Sequence, residues 1–172
     1  MNNQMKNIRI EKVTLNIGVG TASDKLEKAK KLLHEITGRN PISTVTQKRI
    51  PTWGVRPGLN IGMKVTLRGE EAKVLLKRLL AAKDNTLNPS VFDKEGNFGF
   101  GIPEYVDIPG MDYIVEIGIM GLEVAVTVER QGFRIKKRKF QRKVIPKRHR
   151  VTPEETMNYL QSEFNVKIGD KE

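Results

Sequence analysis

The chain has 172 residues, with 31 Lys or Arg against 20 Asp or Glu, and therefore a formal net charge of +11. It contains no cysteine, which excludes disulfide bonds, thiolate metal sites and a cysteine nucleophile. The length favours a single domain, residues 1–172, over a two-domain enzyme. No segment approaches the ~18 consecutive apolar residues of a membrane span, and the N-terminus lacks the apolar core of a secretory signal, so we expect a soluble, cytosolic protein.

The first fifty residues predict a strand, a helix and a second strand. Residues 13–19 alternate apolar with small or polar side chains, which is the period of a strand with one buried face. Ser23 or Asp24 is placed to cap an amphipathic helix that ends at Gly38. Residues 42–49 are rich in β-branched side chains and predict a second strand, whose inward-facing residues the pattern leaves open.

A loop, a strand and a helix are predicted next. Residues 50–58 hold two prolines, two glycines and the only tryptophan, which is the composition of a loop. Residues 61–68 alternate between an apolar face and a basic, hydroxylated face that carries Lys64, Thr66 and Arg68. Residues 70–83 place leucines at helical spacing and predict a helix that packs on the sheet.

The second half begins with a long irregular segment. Residues 84–112 are rich in Gly, Pro, Asn and Phe and predict an excursion with at most a short strand inside it. Residues 113–120 and 122–130 both alternate and predict two further strands. Thr152, Pro153 and Glu155 form the signature of a capping box with proline at the first helical position, so a C-terminal helix should begin at about residue 153.

This order of elements predicts an α+β fold. Helices would pack on one face of a mostly antiparallel sheet, and the other face would be open and polar. By alternation, the side chains on that open face are Thr14, Asn16, Lys64, Thr66 and Arg68.

The positive charge is concentrated in two zones that lack acidic residues. Residues 130–150, the basic arm, hold 11 Lys or Arg, and residues 36–69 hold six. Eleven like charges in one short segment repel one another unless a polyanion relieves them, which favours nucleic acid as the partner. A membrane surface is a poorer partner, because the arm has few large apolar side chains and contains Pro146.

Catalytic and metal-binding patterns are weak. His34 and His149 have no carboxylate or serine partner near them in sequence, and we expect them to be structural. The turn Gly18-Val19-Gly20 lies between a strand and a helix, but the third glycine of a dinucleotide-binding loop is missing. We therefore predict no catalytic residue, no metal site and no cofactor.

Aromatic residues in the loops have two interpretations. Trp53, close to Arg56, is suited either to stacking on a nucleobase or to anchoring its loop in the core, and the sequence leaves both open. Phe92, Phe98 and Phe100 lie in a glycine-rich segment, where aromatic side chains more often pin the loop to the body of the protein.

Four motifs carry a family resemblance: LNIGVG at 15–20, ITGRNP at 36–41, RPGLNIGMKVTLRG at 56–69 and DKEGNFGFGIPEY at 93–105. In this order and spacing they closely resemble the L-five family of large-subunit ribosomal proteins, which bind 5S ribosomal RNA. The run 133–150 followed by a capped helix is similar to the archaeal and eukaryotic branch of that family.

The resemblance implies a place in the central protuberance of the large subunit. The partners that it implies are 5S and 23S rRNA, the peptidyl-site tRNA, neighbouring ribosomal proteins and a small-subunit protein at an intersubunit bridge. Asn16 matches the strand asparagine and Thr66 the threonine of KVTLR, while Arg39 stands where many bacterial members have glutamine. The predicted 5S rRNA-binding residues are Asn16, Arg39, Thr44, Gln47, Lys48, Lys64, Thr66 and Arg68. The predicted tRNA-proximal residues are Thr52, Trp53 and Arg56. The predicted rRNA phosphate contacts are Arg134, Lys136, Lys137, Arg138, Lys139, Arg142, Lys143, Lys147, Arg148 and Arg150.

Two other functions are weighed against this one. The basic arm alone is also compatible with a general nucleic-acid chaperone that has no defined target. The glycine turn alone is compatible with an enzyme acting on a phosphorylated substrate, although the sequence offers no obvious acid or base.

Overall fold

The computed structural model describes residues 3–21 and 23–169. By compactness the chain forms two units. The first unit comprises the described residues up to Val13, Arg68–Gly99 and the described residues from Val126 onward. The second unit comprises Thr14–Leu67 and Phe100–Ala125, where described. The prediction of a single domain stays a prediction.

The elements alternate in type along the chain and confirm the α+β class. A five-stranded, mostly antiparallel sheet has the strand order β2-β3-β1-β6-β5, and β4 and β7 form a separate parallel pair. The strands are β1 (Ile8–Gly18), β2 (Ile42–Val45), β3 (Asn60–Leu67), β4 (Thr86–Leu87), β5 (Phe98–Ile102), β6 (Leu122–Arg130) and β7 (Lys167–Ile168). The helices are α1 (Ser23–Thr37), α2 (Glu70–Ala81), α3 (Arg134–Lys137) and α4 (Pro153–Phe164).

In the second unit, α1 packs on β3. The predicted alternation is confirmed, because Leu15 and Ile17 of β1 are buried while Thr14 and Asn16 are partly exposed. The helix presents one apolar face to the core, formed by Ala29, Leu32, Leu33 and Ile36. It ends at Gly38, whose amide donates to the carbonyl of His34 at 2.7 Å and whose φ of +66° suits glycine.

The first unit contains α2, α4 and the basic arm. The apolar face of α2 is buried, as its leucine spacing predicts. The capping box of α4 is confirmed: the Thr152 hydroxyl accepts from the Glu155 amide, and the Glu155 carboxylate accepts from the Thr152 amide. Glu155 also pairs with the buried Arg130 at the end of β6, so the start of the helix is tied to the strand.

Two predicted strands differ in the structure. Residues 113–120 form a turn instead of a strand, because the amides of Ile117 and Gly118 both donate to the Ile114 carbonyl (3.0 and 3.1 Å) and Gly118 has a φ of +73°. The neighbour of β6 is instead β5, from the segment expected to hold at most a short strand. The second predicted strand, 42–49, is shorter than expected and ends at Val45 after a register shift.

Gly62 lies at the closest approach of three strands in the second unit. A β-carbon at this position would stand 2.6 Å from the Ile17 carbonyl oxygen and 2.9 Å from Oγ1 of Thr44. Both distances are shorter than van der Waals contact, and one neighbour is backbone, so only glycine fits without movement of the sheet.

We predict that Gly62→Ala lowers the free energy of unfolding by about 1 to 3 kcal/mol through overpacking. Gly101→Ala is the matched control, since Gly101 is also a strand glycine but has no atom within 4 Å of its added β-carbon. Urea unfolding of both variants measures the effect, and an equal loss in the two would contradict this explanation.

Candidate nucleic-acid interface

Three of the predicted RNA-binding residues converge on one surface hollow of the second unit. Arg39 follows the end of α1, and Lys64 and Thr66 point outward from β3; together they line a hollow of about 450 Å³. No carboxylate lines it among the described residues. The Arg39 amide donates to the Thr37 hydroxyl (3.3 Å), and its carbonyl lies 3.2 Å from Nδ1 of His34, so the turn that presents Arg39 is held by local hydrogen bonds.

A polar row continues from the hollow onto β1. Oγ1 of Thr14 lies 3.4 Å from Oγ1 of Thr66, and the Asn16 amide nitrogen donates to the Glu123 carboxylate at 3.4 Å. Sequence reasoning missed Glu123 on this face. The alternation of β6 could have revealed it, because Leu122 and Val124 are buried and Glu123 therefore points outward.

The residues predicted on the second strand separate into two groups. Thr44 lies on β2, in register with Gly62 of β3. Gln47 and Lys48 were expected on the same strand, and this was wrong, because they lie beyond its end. Both are exposed, and the Thr46 hydroxyl, which accepts from the Lys48 amide and donates to the Lys48 carbonyl, turns the chain there.

The loop between β2 and β3 exposes its tryptophan. The side chain of Trp53 is 73% exposed, which excludes the core-anchor interpretation. The anchor is instead Val55, which is buried and pairs with Ile50 through two backbone hydrogen bonds of 2.9 and 3.1 Å. Thr52, inside the turn that this pair closes, and Arg56, directly after Val55, are both exposed.

Arg68 takes part in an ion-pair cluster that the sequence did not reveal. It lies in the first unit and pairs with Glu11 at 2.7 Å. Glu11 and Glu129, only 11% and 9% exposed, form a carboxylate pair that also binds Arg9 and Lys137: Arg9 contacts Glu129 at 2.7 Å, and Lys137 reaches both carboxylates. We call these five residues the ionic cluster. No local pattern in the sequence points to this cluster, because its members are distant along the chain, from Arg9 near the start to Lys137 in the basic arm.

The pKa values in the ionic cluster reflect mutual stabilisation of charge. Burial alone would raise the pKa of the Glu11 carboxyl, but hydrogen bonds from Lys137 and Arg68 outweigh burial and hold that pKa below its ordinary value. Burial likewise disfavours the charged form of Lys137, yet hydrogen bonds to Glu11 and Glu129 raise the pKa of its ammonium group. Both groups are therefore ionised at neutral pH.

The ten predicted phosphate contacts of the basic arm differ in how they are engaged. Lys137 is held in the ionic cluster, and Lys136 pairs with Glu95 at 3.3 Å. Arg138 and Arg150 donate to the backbone carbonyls of Gln141 and Ile145, and the Lys139 ammonium lies 5.6 Å from the Phe140 ring centroid. Five of the ten are exposed and have no carboxylate partner in the described part of the chain: Arg134, Arg142, Lys143, Lys147 and Arg148.

The described part of the structure shows no metal-binding cluster, and both histidines contact backbone carbonyl groups. Residues 3–21 and 23–169 hold no group of three or more His, Asp or Glu able to bind a metal ion. His149 Nε2 lies 2.9 Å from the Gln131 carbonyl, so this ring, like that of His34, is engaged with backbone. None of the described helices is both long and apolar enough to cross a bilayer.

Comparison with known proteins identifies the family. The model for "Ribosomal protein L5" matches residues 3–56, and the model for the C-terminus of the same ribosomal family matches residues 60–159. The chain belongs to the L5 family of ribosomal proteins. It is therefore a structural protein of the large ribosomal subunit, a cytoplasmic component of the ribosome and not an enzyme.

Relatives of the chain include archaeal uL5 proteins of the large ribosomal subunit. The chain is 50% identical to the Nanoarchaeum equitans protein over 169 residues, which cover 98% of this chain and 99% of the relative. It is 50% identical to the Sulfurisphaera tokodaii protein over 167 residues, 96% and 94% of the two chains. It is 46% identical to the Nitrosopumilus maritimus protein, over 96% and 95%. These L5 relatives confirm the archaeal character of the resemblance.

We predict that Glu11→Gln lowers the free energy of unfolding by about 1 to 3 kcal/mol at pH 7, because it leaves Lys137 and Arg68 with one charged acceptor fewer. The folded-state pKa of Glu11 is lowered, so its contribution is present above the ordinary value of 4.5 and is lost as pH falls through the folded value. The difference between the variant and the parent, measured by urea unfolding, should therefore narrow towards pH 3.

Glu70→Gln is the matched control for this prediction. Glu70 pairs with Lys73 at 3.0 Å, but its side chain is 84% exposed, so its removal should change the free energy by less than about 0.5 kcal/mol. A pH-independent loss in Glu11→Gln would contradict the ionic explanation.

Proposed function

We propose that the chain binds 5S rRNA through the open face of the second unit and attaches it to 23S rRNA in the central protuberance. The observation that carries the proposal is the hollow where Arg39, Lys64 and Thr66 meet on one surface. Thr44, Gln47 and Lys48 extend this surface along β2 and past its end. Arg68 stays in the proposed RNA-binding set, and its guanidinium is also paired with Glu11 at 2.7 Å.

The chemistry of the face suits structured RNA. Hydroxyl and amide groups such as those of Thr14, Asn16 and Thr66 can exchange hydrogen bonds with 2′-hydroxyls and base edges in a wide, shallow groove. Arg39 and Lys64 supply charge at one end of the row, where phosphates would lie. The row itself carries no aromatic side chain among these residues, which favours recognition by shape over stacking of unpaired bases.

The basic arm contributes affinity that does not depend on sequence. Its five cations without carboxylate partners in the described chain, Arg134, Arg142, Lys143, Lys147 and Arg148, are available to rRNA phosphates. Arg138, Lys139 and Arg150 have weaker local contacts and can contribute as well. Lys136 and Lys137 would first have to leave Glu95 and the ionic cluster.

The loop that carries Trp53 is proposed to approach the peptidyl-site tRNA. The exposed indole offers a flat surface, and Thr52 and Arg56 beside it can bind a ribose or a phosphate. Neighbouring ribosomal proteins, and a small-subunit protein at an intersubunit bridge, complete the proposed set of partners.

The double substitution Asn16→Ala/Thr66→Ala tests the face. We expect 5S rRNA binding to weaken by about 1 to 3 kcal/mol, as for the loss of direct hydrogen bonds, while binding to an unrelated structured RNA of equal length changes little. Filter binding or fluorescence anisotropy at matched salt and pH measures both affinities.

Asn158→Ala, an exposed position of α4 in the first unit, is the control and should leave both affinities unchanged. Equal loss towards the two RNAs would contradict specific recognition by the face. If the parent protein itself binds both RNAs equally, with affinities that fall together as salt rises, the general chaperone would be the better description.

The basic arm can be tested through the salt dependence of binding. Lys147→Gln/Arg148→Gln removes two exposed cations, and we expect the slope of log affinity against log salt to fall by about 2. Lys136→Gln/Lys137→Gln removes the same charge from ion-paired positions and should lower the slope by much less. Equal changes in the two variants would show that the ion pairs do not withhold these lysines from RNA.

A further inference from the structure

A cavity of about 460 Å³ lies beneath the basic arm, within the first unit. Its apolar lining comes from Phe133, Ile145 and Val151, together with the exposed Val144. Its lining also includes four cations, Lys136, Arg142, Lys143 and Arg150. This volume is within the range of ~300 to 1,000 Å³ that is usual for small-molecule sites.

The arm is held in place around this cavity by its own contacts. The Lys143 amide donates to the Ile135 carbonyl (3.3 Å), which folds the arm back over α3. Ile145 is buried, and Nε of Arg150 donates to its carbonyl (3.3 Å), so two lining residues of the cavity are joined by a hydrogen bond. Phe133 is supported by His149, with ring centroids 6.0 Å apart. The site is therefore organised before any ligand binds.

The charges at the cavity are unbalanced. Among the described residues, Glu95 is the only acid in its lining, and it is already paired with Lys136 at 3.3 Å. The described residues provide no carboxylate partner for Arg142, Lys143 or Arg150. An occupant that combines an apolar body with negative charge would therefore match this lining.

We propose that the cavity binds a single unpaired nucleotide of ribosomal RNA, with its base against Phe133 and its phosphates at Arg142 and Lys143. Unpaired bases are recognised by stacking on aromatic rings, and a nucleotide brings its anionic group with it. An acidic peptide with one aromatic side chain is the alternative occupant, and the nucleotide is favoured because the chain belongs to a ribosomal family whose partners include ribosomal RNA. This inference rests on the proposed rRNA binding and adds a site for a nucleotide that has left its helix.

The test uses two hairpin RNAs with the same stem, one carrying a single bulged 2-aminopurine and the other fully paired. At about 0.3 M salt, where general phosphate attraction is weakened, the parent protein should bind the bulged hairpin about tenfold more tightly and quench its fluorescence. A ratio near one would overturn the proposal.

Phe133→Leu keeps an apolar side chain but removes the ring, and should reduce affinity for the bulged hairpin about fivefold without affecting the paired one. Phe140→Leu is the matched control, because Phe140 lies on the same arm, is 76% exposed and does not line the cavity. An equal effect of the two variants would overturn the proposal.

A second pair of variants covers the case in which Phe133→Leu is unstable in a thermal melt. Val144→Gln changes an exposed residue of the cavity and should lower the preference for the bulge about threefold, whereas Val74→Gln on α2 should not. A glutamate-rich peptide with one phenylalanine serves as the probe for a protein partner. The proposal would be overturned if this peptide bound saturably to the parent protein but not to Phe133→Leu, and if the parent protein showed no preference for the bulged hairpin.

The outcome is separable from that of the proposed function. Asn16→Ala/Thr66→Ala should leave the preference for the bulged hairpin intact, because both residues lie in the second unit and neither lines the cavity. Loss of bulge preference with 5S selectivity retained would reject only the cavity proposal. The reverse result would reject only the 5S assignment.

Discussion

The ionic cluster at the start of the basic arm is the interaction on which the first unit depends. Eleven cations follow one another between residues 130 and 150 without an acid among them, so their mutual repulsion opposes any compact arrangement. Glu11 and Glu129 relieve this repulsion where the arm leaves β6, because Lys137 bridges both carboxylates. Glu95 and Glu155 act similarly on Lys136 and on the buried Arg130.

This arrangement divides the positive charge into two functional groups. Cations held by carboxylates stabilise the fold and have little left to offer a polyanion, since releasing them would expose a nearly buried carboxylate such as Glu129. Cations further along the arm, such as Lys147 and Arg148, are exposed and keep their full attraction for phosphate. The count of 11 cations in residues 130–150 therefore overstates the charge that RNA can use.

Local patterns predicted the fold where side chains within a few residues determine the structure. Alternation located β1, β3 and β6, leucine spacing located α2, and Thr152 with Glu155 located the start of α4.

The prediction for residues 113–120 failed because Gly118 adopts a positive φ and closes a turn, which an alternating apolar pattern does not reveal. The sequence did not reveal the ion pairs of Arg68 and Lys137 for a related reason: their partner Glu11 is distant in sequence, and only the folded chain brings it near. The sequence alone could not decide whether Trp53 is exposed, because either Trp53 or the nearby Val55 could anchor the loop, and in the structure the anchor is Val55.

In the proposed binding mode, Glu123 would give the open face a selectivity that positive charge alone would lack. Its carboxylate accepts from the Asn16 amide nitrogen, so a phosphate approaching Asn16 meets a negative charge, and one of the two amide N–H donors is already engaged. The carbonyl oxygen of Asn16 remains as an acceptor, and the groups of RNA that donate to an acceptor are 2′-hydroxyls and base amines. In the proposed binding mode, phosphates are therefore directed to the hollow of Arg39 and Lys64, and the polar row is left for groups that distinguish one RNA surface from another. A face made only of lysine and arginine would bind any RNA in many alternative positions. One acid beside Asn16 reduces the number of positions in which phosphates meet cations and hydrogen-bond donors meet acceptors.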